Sequence, residues 1–200
     1  MPDAQATELL RRASDAPQNS IRRKLLTAAA FASAGLEGAV LVSGAAVELH
    51  TGSYRPTDID LVGHRKPDQA RSLRELGFKK DGRRWLFSFD DEERLAIEVP
   101  GDSLGDFDTE RPQVIDLAPG ELAVISLNDL IMDRLLQATG EEPVAFDEAV
   151  RLGVAAYERI DWKKLEERAE HAVDDKSFAG KVLPDVLSRV RREAIRLLRG

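Results

Sequence analysis

The 200-residue chain has no cysteine. Disulfides and cysteine metal sites are therefore excluded, and a reducing compartment suits it. No apolar run approaches the length of a membrane span. The start, Met1-Pro-Asp-Ala-Gln, lacks the basic residues and apolar run of a secretory signal. A cytoplasmic protein with no membrane partner is expected. Histidine occurs three times, at His50, His64 and His171, without metal-site spacing. Gly-x4-Gly-Lys-Ser/Thr, Gly-x-Gly-x-x-Gly and Gly-x-Ser-x-Gly are all missing. An excess of basic charge is missing too. Lys and Arg number 29 against 36 Asp and Glu, a net −7, which argues against a surface that coats nucleic acid generally.

What remains is an ordinary globular composition, 42% hydrophobic and 32% charged. Its length allows one domain, or one with an appendage. The most informative stretch is 39–62. Ala39 to Val42 read as a buried strand, Ser43-Gly44 as a turn, and Ala45 to His50 as a short helix. Thr51-Gly52-Ser53 ends that helix, and Thr57 to Val62 form a second strand. Asp58 and Asp60 then share one face of that strand, with Ile59 and Leu61 on the other. Two such carboxylates repel each other unless something neutralises them, and hard oxygen ligands suit magnesium. The helix N-terminus and the open backbone N–H groups at Ser43-Gly44-Ala45 can hold a phosphate. A phosphate cradle and a metal-holding pair are the tools of phosphoryl chemistry.

Gly44 and Asp58 are separated by 13 residues. A hydrophobic strand, Gly-Gly or Gly-Ser, about a dozen residues and Asp-apolar-Asp make a pattern that resembles the polymerase-beta-like nucleotidyltransferases. The wording SGAAVELHTGSYRPTDIDLV looks most like the minimal branch that includes AbiEii-type toxins of toxin–antitoxin systems. The resemblance is close over 39–63 and loose over 39–136. One departure is Ser43, which stands where the first glycine of the pair is usual. The resemblance implies a mixed α/β sheet flanked by helices, with a helical C-terminal extension. It implies Mg²⁺, or Mn²⁺ in its place, held by Asp58, Asp60 and a third carboxylate from a later strand. Glu98 in LAIEVP fits that position, although an alternating strand also carries ordinary solvent-facing glutamates. Asp116 in QVIDLAPG is the substitute. Ser43 and Gly44 would bind the phosphates of a nucleoside triphosphate, helped by Arg55 and by Arg134 in LIMDRLLQA. Arg134 can equally be a surface arginine paired with a nearby acid. The acceptor would be an RNA, namely a tRNA, or a protein. The partner would be the other member of a toxin–antitoxin pair. A member without catalysis, binding a nucleotide or partner as antitoxin or regulator, is the alternative, and a metal-dependent phosphohydrolase is a more distant one.

Along the chain, helices are expected over 3–14 and over Ile21 to Ala34, the second capped by Ser20 and closed by Gly35. Arg22, Arg23 and Lys24 fall on its polar side, as a solvated face or as contacts to a polyanion. Asp68 to Leu76 read as a helix, Phe78-Lys-Lys-Asp-Gly as a turn, and Arg84 to Phe89 with Arg94 to Val99 as a hairpin across Asp90-Asp-Glu-Glu. After a loop over 100–112 come two short strands, Val114 to Leu117 and Leu122 to Ile125. A helix, Leu127 to Ala138, follows behind the cap Ser126-Leu-Asn-Asp129. Phe146 to Ile160, Asp161 to Val173, and a last segment through Leu198 with Pro184 near its start are helical. Domains of 1–140 and 141–200 are thus expected. Residues 181–200 carry a local +4, from Lys181, Arg189, Arg191, Arg192, Arg196 and Arg199 against Asp185 and Glu193. That charge complements a helix dipole or grips an RNA or an acidic partner.

Overall fold

The structure is a computed structural model that describes residues 3–52, 54–90, 92–104, 110–140, 143–173 and 178–200. Ser53, Asp91, part of the 100–112 loop and Lys176 lie outside the described residues. The chain runs α1 (Ala4–Asp15), α2 (Ile21–Gly35), β1 (Leu36–Val42), α3 (Ser43–Thr51), β2 (Asp58–Arg65) and α4 (Gln69–Glu75). Strands β3 (Lys79–Asp81), β4 (Arg84–Ser88), β5 (Arg94–Glu98), β6 (Gln113–Asp116) and β7 (Glu121–Val124) follow. The rest is helical: α5 (Leu127–Ala138), α6 (Pro143–Ala156), a 3₁₀ turn (Tyr157–Arg159), α7 (Trp162–Val173) and α8 (Phe178–Arg199). Among the described residues no helix is long and apolar enough to cross a membrane.

Two compact units result. The first contains the whole sheet, α1, α2, α4 and α3 through Leu49; the second contains α5 to α8 with Glu110 and the end of α3. The sheet has seven strands in the order β3-β4-β5-β2-β1-β7-β6. Neighbours are antiparallel except β2–β5 and β1–β7, which are parallel. This is the mixed α/β sheet with flanking helices expected from the sequence.

In the first unit, α2 is the buried helix. Its Ser20 cap accepts from the Arg23 N–H at 3.2 Å. Its small residues, Ala28, Ala29 and Ala30, let it pack closely, and Phe31 projects into an aromatic cluster. The Phe31 ring meets Phe78 at 5.3 Å and Trp85 at 6.2 Å, and Phe78 meets Phe87 at 4.9 Å. Phe78 is therefore core, not part of a turn. The residues after it form strand β3, paired with β4 across the tight turn Gly82-Arg83, where Gly82 has φ +54°. β1 starts three residues earlier than expected. A bulge between Glu37 and Val40, with Gly38 at φ +61°, disguises its first turn of pairing.

Arg23 is not on a solvated face. Its guanidinium is buried and donates to the carbonyls of Ala13 (3.0 Å), Ser14 (3.0 Å) and Ala16 (3.0 and 2.6 Å) around the C-terminal end of α1, the Ala13 carbonyl also accepting from the Ala16 N–H at 3.2 Å. It also pairs with Glu93 and lies over the Phe89 ring at 4.6 Å. A cation suits the negative end of a helix dipole, so burial here is compensated on several sides.

In the second unit, Ser126 caps α5 through the Asp129 N–H at 3.0 Å. The Asp129 carboxylate is spent elsewhere, accepting from the Glu110 N–H at 2.7 Å and pairing with Arg168 at 2.8 Å. α6 begins at Pro143, a favourable first helical residue, and ends before the expected Ile160. α8 begins at Phe178, so residues 178–180, expected as a polar break, are helical and Pro184 lies inside the helix. Several α8 arginines are engaged within this unit. Arg191 pairs with Glu166 and lies over Trp162 at 5.5 Å, and Arg189 lies over Phe146 at 5.1 Å.

Candidate active site

The site grows out of the central strands. On β2, Ile59 and Leu61 are fully buried while Asp58 and Asp60 are half-exposed, so the alternation puts both carboxylates on one face. β5 lies parallel beside β2 with Asp58 opposite Ala96, Ile59 opposite Ile97 and Asp60 opposite Glu98. Glu98 therefore stands abreast of Asp60 on the next strand. Asp116, on the outer strand β6, is three strands from β2, roughly 14 Å at ordinary strand spacing. On the other side of β2, Val42 of β1 is the partner of Asp60. The next residue, Ser43, opens α3, so the helix N-terminus starts one residue beyond that pair. One lateral row, Arg84–Glu98–Asp60–Val42, crosses four strands.

Ser43 has φ +59°, in the left-handed region. A non-glycine residue there costs about 1–2 kcal/mol, which is the physical reason a glycine is usual at this turn. Gly44 is required for a different reason. A Cβ on it would meet Cε1 of Tyr54 at 2.6 Å. Tyr54 is itself fixed by its N–H, which donates to Glu48 at 2.7 Å.

Glu98 is mostly buried (13% of its side chain exposed) and carries two arginines. Arg84 pairs with one oxygen and Arg83 with the other at 3.1 Å. The Glu98 hydrogen bond and charge, with smaller contributions from Asp58 and Asp60, push the Arg84 guanidinium further above its ordinary value. Among the described residues no three acidic or imidazole side chains converge closely enough to hold a metal ion as they stand. The donor chemistry fits a hard divalent cation, since Asp58, Asp60 and Glu98 supply only carboxylate oxygens on one face. Both Glu98 oxygens are engaged by the two arginines.

Arg55 is exposed and lines a cleft of about 690 Å³ with Lys24, Tyr54, Thr57, Glu93 and Arg94. Lys24 reaches into the cleft and donates to the Pro56 carbonyl, two residues before Asp58. Burial holds its ammonium below the ordinary lysine value, against the opposing charges of Glu93, Asp58 and Glu48. Arg134 belongs to the second unit. It is buried on α5, donates to Gln137 at 2.9 Å and lies 3.4 Å from Glu148 of α6.

Sequence reasoning missed Tyr54, Arg83 and Arg84, and gave Lys24 only as one of a basic run that was either a solvated face or a contact to a polyanion. The arginines left a signal. In a hairpin with Ser88 opposite Arg94, counting outward brings Arg84 opposite Glu98.

No family model and no curated protein matches the chain. Among solved structures, an antigenic nucleotidyltransferase-like protein from Paracoccidioides brasiliensis is similar with a TM-score of 0.48 and 13% identity, over 74% of this chain and 76% of that one. The antibiotic-resistance factor ANT(2'')-Ia is similar with a TM-score of 0.41 and 18% identity, over 91% of this chain and 96% of that one. At such identities and TM-scores neither carries an activity over to this chain.

Proposed function

We propose that the protein is a Mg²⁺-dependent nucleotidyltransferase, with Mn²⁺ accepted in place of Mg²⁺. One observation carries the reading. The register puts Asp58, Asp60 and Glu98 on neighbouring strands, and Val42, the partner of Asp60, leads directly into the N-terminus of α3. Carboxylates for a cation and N–H groups for phosphates thus meet at one end of the sheet. Asp58 and Asp60 would hold the metal, with Glu98 as third ligand. A bound cation would neutralise triphosphate charge and favour loss of pyrophosphate. The Ser43 hydroxyl and the N–H groups of the first turn of α3 would bind the β and γ phosphates, and Arg55 would reach them from the cleft. Arg134 has its phosphate-binding role in this proposal through the family resemblance alone. The acceptor hydroxyl gives its proton to a carboxylate, Glu98 by position. Its oxygen bonds to the α-phosphorus as the bridging oxygen to the β-phosphorus leaves with pyrophosphate. The AbiEii-like wording of residues 39–63 adds the finer proposal: a cytoplasmic toxin of a toxin–antitoxin pair that modifies a tRNA or a protein.

The test is transfer of label from each α-³²P nucleoside triphosphate into total RNA and protein, with Mg²⁺ or Mn²⁺. Label is expected with wild type and not with D58N/D60N, whose circular dichroism should be unchanged. Equal labelling by both would sink the proposal. A second reading is favoured by the two arginines on Glu98 and by Ser43 in the glycine position. In it the site binds a nucleotide without turnover, and the protein acts as an antitoxin or regulator. Calorimetric nucleotide binding without label transfer would select it.

A further inference from the structure

Glu98 is the most heavily engaged carboxylate of the site. Arg84 faces it across the β4–β5 pair, and Arg83, at the tip of the β3–β4 turn, takes its second oxygen at 3.1 Å. Both arginines are exposed while the carboxylate they hold is mostly buried, so either guanidinium can leave Glu98 without being drawn out of the core, provided another charge takes its place there. Their surroundings are ionic. Asp58 and Asp60 act on Arg84, and Lys80, which feels both Arg65 and Glu98, donates to the Arg83 carbonyl at 3.1 Å. Three carboxylates against two guanidiniums leave the face slightly negative. A divalent cation added to that set would make it slightly positive, with one positive charge in excess at the place where Glu98 is needed as a ligand. An arginine fork binds phosphate as readily as carboxylate.

We propose that Arg83 and Arg84 are phosphate-binding residues held in reserve by Glu98. They occupy Glu98 when no cation is present. They turn to the triphosphate when a cation takes Glu98. This rests on the reading of the site as a metal-dependent nucleotidyl-transfer site. Cation and arginines then compete for one carboxylate, whereas cation and triphosphate favour each other, and such coupling is reciprocal.

The experiment measures binding and not turnover. Mn²⁺ alone is titrated by electron paramagnetic resonance into wild type, R83A/R84A, R84K and D58N/D60N, and manganese tripolyphosphate is titrated by calorimetry. R83A/R84A is expected to bind Mn²⁺ alone about tenfold more tightly than wild type, since the cation no longer competes with two guanidiniums for one mostly buried carboxylate. It should bind manganese tripolyphosphate about tenfold more weakly, since charged hydrogen bonds to phosphate are lost. R84K, which retains the charge without the fork, should lie between on both counts. Mn²⁺ bound by R83A/R84A but not detectably by wild type would also support the competition. Mn²⁺ binding lost in D58N/D60N yet equal in wild type and R83A/R84A, or unchanged tripolyphosphate affinity, would overturn this inference and leave the metal site standing. Mn²⁺ binding that D58N/D60N leaves unaltered, or no binding by any variant, would overturn the metal-site reading and this inference together.

Discussion

Replacing Arg23 by alanine should be among the most damaging single changes in the first unit. The guanidinium holds three carbonyls at the end of α1, one carboxylate on the turn before β5, and the Phe89 ring. Both charges are buried, with 8% of the Arg23 side chain and 11% of the Glu93 side chain exposed. Removing one partner of a buried pair leaves the other charge uncompensated, at about 3–5 kcal/mol. The helix itself loses nothing, because alanine is at least as good a helix former. At about 2–4 °C per kcal/mol for a chain of this size, Tm should fall by about 10 °C. Urea unfolding of wild type, R23A, E93A and R23A/E93A, followed by circular dichroism, measures this. The double variant should be more stable than the summed single losses require, by at least about 1.5 kcal/mol, since each single change strands the other group. R23A costing less than about 1 kcal/mol, or strict additivity, would refute the reasoning.

At the turn into α3, G44A should cost about 1–3 kcal/mol, because its Cβ must displace the Tyr54 ring from 2.6 Å. Urea midpoints should show most of that loss disappearing in a Y54A background, and an equal loss in both backgrounds would rule out the ring as cause. In the second unit, Glu110 is partly buried, which opposes ionisation, but hydrogen bonds from Lys164, Asn128 and Ser126 outweigh this and hold its carboxyl below the ordinary 4.5. A carboxylate lowered by folding contributes stability that is present above the ordinary value and lost as pH falls through the folded one. Between about pH 5 and pH 3 wild type should therefore lose more stability than E110Q. Parallel acid slopes in urea titrations would contradict it.

Much of the site could be read from the residues because its signals are local. Asp58 and Asp60 sit at period two between Ile59 and Leu61, and the burial follows that pattern. The Ser20 and Ser126 caps and the hairpin across Asp90 and Glu93 depend on neighbours a few positions away. What escaped was set by distant groups. Arg23 looks like one of three solvated cations until the open end of α1 is placed against it. Lys79 to Asp81 read as a turn, because a short exposed strand at a sheet edge shows no apolar alternation. The left-handed angle of Ser43 was signalled only by the glycine usual at that position, because serine itself does not favour such an angle. The engagement of Glu98 depended on knowing which residue lies opposite it.

The strand order also divides the site between two locally closed pieces. β1, α3 and β2 form one, joined by antiparallel pairing, and contribute Ser43, Gly44, Asp58 and Asp60. β3, β4 and β5 form the other, a meander of adjacent antiparallel strands, and contribute Arg83, Arg84 and Glu98. Each needs only short loops to close, so each is inexpensive to form in chain entropy. Between them runs a parallel seam with three residue pairs in register, from Asp58 opposite Ala96 to Asp60 opposite Glu98, and a further backbone bond from the Gly63 N–H to the Gly101 carbonyl at 3.2 Å. A cation shared by Asp60 and Glu98 would span that seam and join by side chains two pieces that the backbone joins only briefly.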